Sequence, residues 1–218
     1  MAKETVMVFV AHSDDDSIGM GGTIAKYAKE GKKVISVIFC YGAASLPWLK
    51  EDIVAIKRIR ETKKIQKILG LKEIFFLGLQ DPIRKKEIKS KKAEKNIMKL
   101  IRKYKPSKIF THSKYDIHND HRAVSKLVVS AVDKMNYKHD VYVFQVWNHL
   151  KILSLLKKHT PKLVVDISKE FQTKLKAIKA YKSQKIYTYQ LLPYVHFDAI
   201  TEGRKAGFRY AEVFEKIR

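Results

Sequence analysis

Val6-Met7-Val8-Phe9-Val10-Ala11-His12-Ser13-Asp14-Asp15-Asp16 is a short apolar run that stops at a histidine and three acids. The apolar residues read as a β-strand, and the charged ones cannot continue it. Like charges crowded at a strand end repel, and each carboxylate needs a cation or hydrogen-bond donors to stay ionised. A metal ion is the economical way to hold a histidine and adjacent carboxylates together. The chain then continues as a helix, Ser17–Glu30, entered through Gly19-Met20-Gly21-Gly22.

Outward from that strand, apolar runs alternate with helical stretches. Strands are expected at Val34–Cys40, Glu73–Leu77, Lys108–Thr111, Val141–Val146 and Leu163–Ile167. Between and after them, helices are expected at Asp52–Leu69 (stopped by Gly70), Lys91–Tyr104, His121–Met135, Lys169–Ser183 and Gly203–Lys216. Alternation of this kind predicts one α/β domain over residues 1–218, a mostly parallel Rossmann-like sheet with helices on both faces. In such sheets ligands bind beyond the carboxyl ends of the strands. The glycines after strand one lack G-x-G-x-x-G spacing, and strand two ends in Phe39-Cys40-Tyr41 instead of a ribose-binding acid, which argues against a dinucleotide site.

A second cluster, Asp116-Ile117-His118-Asn119-Asp120-His121, follows the strand at Lys108–Thr111 and therefore falls on the same edge as the first. A histidine and a carboxylate from the first cluster plus a histidine from the second make a 2-His-1-carboxylate set. That set suits hydrolytic zinc with an open position, and equally iron(II) in an oxygenase. A surplus carboxylate beside the ligands favours hydrolysis, because a metal-bound water needs a base to take its proton.

Composition narrows the setting. The single cysteine, Cys40, excludes Cys-based zinc sites and reads as a buried thiol. No apolar run approaches the roughly 18 residues of a membrane span. Asp14 comes too early for a signal peptide, so the chain reads as cytoplasmic. The formal net charge is +23. A basic nucleic-acid-binding protein with a structural metal is therefore a second reading. Against it, the densest basic run, Arg84–Lys92, has no interleaved aromatics on which bases could stack, and no specific nucleic-acid partner is expected.

Ala11-His12-Ser13-Asp14-Asp15-Asp16 resembles the A-H-P-D-D-E motif of the LmbE/PIG-L family of zinc-dependent N-acetylglucosaminyl deacetylases, and His118-Asn119-Asp120-His121 resembles its H-P-D-H motif. Arg58, Glu61, Leu69-Gly70, Leu77-Gly78-Leu79-Gln80-Asp81, Lys182-Ser183-Gln184 and Ala211-Glu212-Val213-Phe214 are similar to further family positions. The resemblance implies Zn2+ held by His12, Asp15 and His121, with Asp14 as general base. His118 would polarise the amide carbonyl or stabilise the oxyanion, with Asp120 orienting it, and Arg58 would contact the sugar. It further implies a small amino-sugar substrate and a homo-oligomer, often a trimer or hexamer. Ser13 and Asn119 stand where the family has proline, which loosens backbone without removing a reacting group, and Asp16 stands one methylene shorter where the family has glutamate.

Each residue also has a structural reading. Asp14–Asp16 could cap the next helix. Arg58 and Glu61 could be an exposed pair, yet they share a helical stripe with Val54, Ile65, Ile68 and Leu69, which predicts a partner or ligand. His112, closing its strand, reads as a core histidine or a neighbour of the site. Ile186–Ala199 has no evident helical period and could be a mobile cover, with His196, Tyr187 or Tyr189 touching substrate. His139, His149 and His159 read as surface residues.

Overall fold

The computed structural model describes residues 3–45, 48–89, 91–147 and 161–218, so His149 and His159 lie outside the described residues. Strand β1 (Thr5–Val10) is the pivot. It pairs in parallel with β2 (Lys33–Cys40) on one side and with β4 (Lys108–His112) on the other. With β3 (Glu73–Leu79), β5 (Asp140–Phe144), β6 (Lys162–Asp166) and β7 (Ala211–Lys216), the sheet runs β3-β2-β1-β4-β5-β7-β6. β1 to β5 are parallel, and among the described strands β7 runs antiparallel to both of its neighbours, β5 and β6. The chain leaves β1 toward β2 and β3, then returns to its other side for β4. The strand ends of β1 and β4 thus flank the point where the topology reverses, where the adjoining loops part and leave a crevice.

Successive side chains of β1 point to opposite faces, and both faces are covered, which is why its sequence is apolar without alternation. Val6, Val8 and Val10 pack against Ile18, Met20 and Ile24 of α1 (Asp15–Lys29) and Ile65 and Leu69 of α2 (Glu51–Leu69). The same layer holds Leu175 and Ile178 of α6 (Phe171–Lys179) and Leu191 and Val195 of α7 (Lys185–Lys205). Met7, Phe9 and Ala11 face the other layer, built from Ile97 and Ile101 of α4 (Lys92–Tyr104) and Val124, Leu127 and Val128 of α5 (Asn119–Lys134). A short α3 (Lys85–Lys89) precedes α4. Gly70 ends α2 at φ 76°, the left-handed C-cap its sequence predicts.

The glycine run in α1 serves packing. A Cβ on Gly22 would overlap Ile167, and one on Gly19 would overlap the Phe144 ring. Helical geometry breaks at Met20, and the carboxylate of Glu212 on β7 accepts from Gly22 N at 3.1 Å, Thr23 N at 2.7 Å and Lys174 Nζ at 2.7 Å.

Two expectations for the C-terminal third are corrected. The helix expected over Gly203–Lys216 is the strand β7, preceded by a turn in which Gly207 takes φ 77°. Ala211-Glu212-Val213-Phe214 is too short and too fully buried to show a helical stripe, and a central strand has that same burial. Ile186–Ala199, expected to be irregular, lies inside α7. Its buried stripe, Thr188, Leu191, Val195, Ala199 and Gly203, does keep helical spacing. Pro193 and the exposed Ile186, Tyr189 and Phe197 on the other faces hide that period.

Candidate active site and metal centre

The loop after β1 and the N-terminus of α5 bring the two clusters together. His12 Nδ1 lies 3.4 Å from Asp15 Oδ2, and His121 Nε2 lies 3.3 Å from Asp15 Oδ1. Donors held at about 2.0–2.1 Å around one tetrahedral ion stand roughly 3.3–3.4 Å apart; these two spacings match that, and the candidate ligand atoms of His12, Asp15 and His121 all lie within 4.8 Å of one another. Asp15 is aimed by its own backbone turn: Oδ2 accepts the His12 N–H at 2.8 Å, leaving Oδ1 toward His121.

His121 supplies the test of fit. Its ring is fully buried, and neither ring nitrogen makes a well-aligned hydrogen bond. Nδ1 lies 3.1 Å from Asp116 Oδ2 and Nε2 lies 3.3 Å from Asp15 Oδ1, so each ring nitrogen faces a carboxylate. A lone pair facing a carboxylate needs a cation between them. Protons would satisfy the contacts of His12 and His121 one at a time, whereas one divalent ion satisfies all three residues together. The nitrogen and carboxylate donors suit zinc.

The protonation pattern agrees. Burial pushes His121 down, but Asp15 and Asp116 prevail and raise it to about 9. Burial likewise works against His12, and Asp120, Asp15 and Asp81 outweigh it to hold the ring well above the ordinary value. Asp15, although buried, is held well below the usual carboxylate range by the His121, His112 and His12 rings. A bound cation would take the place of these protons.

Asp14 is the surplus carboxylate. It occupies the N-cap position of α1 yet makes no side-chain cap bond. Its Oδ1 instead accepts from Arg58 Nη2 at 2.8 Å. Arg58, only 2% exposed, also donates through Nε to Ser13 Oγ at 3.1 Å and through Nη1 to the Gly42 carbonyl at 3.2 Å. Arg58 borders the cleft, but its guanidinium is committed to Asp14, Ser13 and Gly42. Glu61, one turn on, accepts from Ser183 N at 2.9 Å and so ties α2 to the turn before α7. The helical stripe on α2 that signals a partner therefore has two.

His118 caps α5. Its Nδ1 accepts from Asp120 N at 3.2 Å, which leaves the proton of the neutral ring on Nε2. Burial and the charges of His121 and His12 lower its pKa and keep it neutral, so it can offer an N–H where negative charge develops. Asp120 does not orient His118 through its carboxylate, as the resemblance implies. That carboxylate accepts from Ile83 N at 2.9 Å and lies 3.4 Å from His12 Nε2. The first-turn geometry of α5 accounts for this, because the N–H two residues past the cap is the one that meets the cap side chain.

His12, Asp14, Asp15, Arg58 and His118 line a cleft of about 240 Å³ whose walls also include Asp81, Trp147, Gln184 and Tyr187, while His121 and Asp120 lie behind it. His196 is not among them. It lies nine residues beyond Tyr187, roughly 13 Å along α7 at 1.5 Å per residue. Its Nδ1 faces the Leu192 carbonyl at 2.8 Å and its ring meets Phe171 edge-on. Sequence reasoning gave no role to Asp81 or Trp147. Asp81 carried a signal, since it is the acid that ends the family-like segment Leu77–Asp81, while Trp147 had none. His112 is fully buried and stacks on His121 at 3.9 Å, as its position at the end of β4 suggests.

Known proteins place this arrangement. The chain is 29% identical to the diacetylchitobiose deacetylase of Thermococcus kodakarensis over 95% of its own length and 80% of that protein's. It is similar to the solved N,N'-diacetylchitobiose deacetylase of Pyrococcus horikoshii in complex with its inhibitor MPG, with a TM-score of 0.80 at 26% identity, covering 98% of this chain and 84% of the other. A 4-carboxy-2-hydroxymuconate hydratase from Pseudomonas putida superposes with a TM-score of 0.82 at 23% identity, covering 99% and 96%, and attests to the fold alone. Residues 7–132 match the PIG-L family, described as GlcNAc-PI de-N-acetylase, and the chain belongs to that family.

Proposed function

We propose that the chain hydrolyses the N-acetyl group of an N-acetylglucosamine-type sugar or sugar conjugate, releasing acetate and a free amine. The ligands would be His12, Asp15 and His121, the base Asp14 and the oxyanion donor His118. One observation carries the reading: beside three converging ligand groups stands a fourth group, Asp14, that is buried, held by Arg58 and open to the cleft. An iron oxygenase would have no task for it.

Zinc bound by these ligands would polarise the acetyl carbonyl and bring water ionisation near neutral pH. Asp14 takes the proton of the attacking water, and Arg58 keeps its carboxylate in place while it does so. His118 offers Nε2–H to the acetyl oxygen as that oxygen gains charge, a contribution commonly of several kcal/mol. The proton held by Asp14 then goes to the departing nitrogen, so water and amide become acetate and amine. Trp147 and Tyr187 are the aromatic residues of the cleft wall. The relatives' diacetylchitobiose makes short N-acetylated glucosamine oligomers the first substrates to try.

The test is a panel of N-acetylated sugars scored by primary amine release, with Asp14→Asn beside the wild type. Amine release that needs metal and falls about 10²-fold or more in zinc-loaded Asp14→Asn supports the reading. Full activity in that variant would refute the assignment of the base.

A further inference from the structure

Asp116 stands behind His121, and its contacts reach further. The side chain is 1% exposed, and a buried carboxylate is costly unless donors surround it. Its Oδ1 accepts from His118 N at 2.9 Å, a local turn that aspartate commonly makes two residues ahead. That bond alone would be ordinary loop structure. The other oxygen is not local: Oδ2 lies 3.1 Å from His121 Nδ1 and also accepts from Val146 N at 2.9 Å and Trp147 N at 3.3 Å. Val146 and Trp147 follow β5, thirty residues on. One carboxylate thus touches the ring of a proposed ligand, the backbone of the proposed oxyanion donor and the backbone of a residue in the cleft wall.

We propose that Asp116 is a positioning residue that fixes the His121 ring with Nε2 toward Asp15 and fastens Trp147 to the same carboxylate, so that metal affinity and sugar binding vary together. The inference rests on His121 being a ligand. Carboxylates behind ligating imidazoles set the tautomer and raise the basicity of the bound nitrogen, and their loss typically weakens metal binding 10–100-fold. The attachment of Trp147 adds a second consequence. A ring released from Asp116 and a wall released from Asp116 both follow from one substitution.

Asp116→Asn keeps an oxygen for the backbone donors but turns an amide or a neutral oxygen toward His121. In chelator competition it should bind zinc about 10–100-fold more weakly, its cobalt(II) derivative should change its visible spectrum, and KM should rise. A purely structural role would leave the cobalt spectrum and the zinc affinity of the folded fraction unmoved, and affinity within twofold of wild type with an unchanged spectrum would overturn the proposal. A second measurement needs no variant: nitrogen NMR of the zinc-loaded wild type should show His121 protonated at Nδ1 and bare at Nε2. The opposite tautomer would overturn the proposal as well. Full zinc retention by His121→Ala would overturn the ligand set, and the inference with it, so the two failures are told apart.

Discussion

Replacing Arg58 by methionine keeps the apolar stem and removes the guanidinium that holds the base. Asp14 loses its 2.8 Å partner, and the Gly42 carbonyl and the Ser13 hydroxyl lose donors at 3.2 and 3.1 Å. Stripping one partner from a buried ion pair costs about 3–5 kcal/mol, since the remaining charge is left in a poorly solvated place. The orphaned carbonyl adds to this, but the two overlap, because water admitted by the smaller side chain can serve both. Unfolding in urea should therefore show a loss of about 4 kcal/mol. The kinetic effect is separate. A base free to drift by an ångström costs on the order of 10²-fold in kcat, with KM little changed. Arg58→Lys keeps the charge but not the fork, so it can serve Asp14 or Gly42 but not both, and should fall between. Gly42→Ala should copy part of the defect, because Gly42 sits at φ 69° and an added Cβ would overlap the guanidinium. If Arg58→Met instead raised KM at unchanged kcat, with unfolding within 1 kcal/mol of wild type, the guanidinium would be a sugar contact and its role in holding Asp14 would be refuted.

The wild type should hold about one zinc per chain by metal analysis after dialysis, and His121→Ala should lose most of it, because a three-ligand site cannot readily spare one. His118→Ala should keep its zinc and turn over about 10²–10³-fold more slowly; a variant slowed less than tenfold would remove His118 from the oxyanion role. Glu4, which accepts from Lys108 Nζ at 2.6 Å and Ser107 Oγ at 2.7 Å, is lowered from 4.5 to about 2. A depressed folded-state pKa stabilises above the unfolded value and ceases to as pH falls toward 2. Glu4→Gln should thus cost about 1 kcal/mol at pH 7 after allowance for its partial exposure, and nothing near pH 2; an equal cost at both would refute the linkage.

Much of this was legible because the deciding residues are local in sequence. A strand that stops at His12 and a strand that stops before a second acid-histidine cluster must, in a parallel sheet, end on one edge, and β1 and β4 do so as neighbours. Glycine at position 70 and the apolar stripe of α5 marked their helices for equally local reasons. What was not legible depends on contacts between distant segments. Asp120 looks like the partner of His118 because the two are adjacent, but the start of a helix turns the backbone toward His118 and sends the carboxylate to His12. Trp147 enters the cleft only because β5 lies next to β4 and its exit is fastened to Asp116. The period of α7 was masked by apolar residues on faces that bury nothing, and no pattern reading separates those from core positions until the neighbours are known.

The family-like motifs are broken at Ser13, Asp16 and Asn119, and the fold supplies a polar tether at each. Ser13 cannot stiffen the loop as proline would, but its hydroxyl accepts from Arg58 Nε and its carbonyl accepts from the Tyr181 hydroxyl. The loop is thereby pinned from α2 and from the chain beyond α6. Asp16, one methylene short, is met by hydroxyls that reach it: Ser36 Oγ at 2.7 Å and Ser17 Oγ at 3.0 Å, while burial pushes its pKa up to about 7. Asn119 accepts from Arg122, whose guanidinium also binds the carbonyls of Asp116 and Ile117 and closes the turn that leads into α5. Proline restricts one backbone angle in both the folded and the unfolded chain, whereas a side-chain tether acts only once its distant partner is in place. The order of this site therefore depends on the helices around it more than a proline-bearing motif would. Loss of Arg58 should for that reason disturb the loop as well as the base.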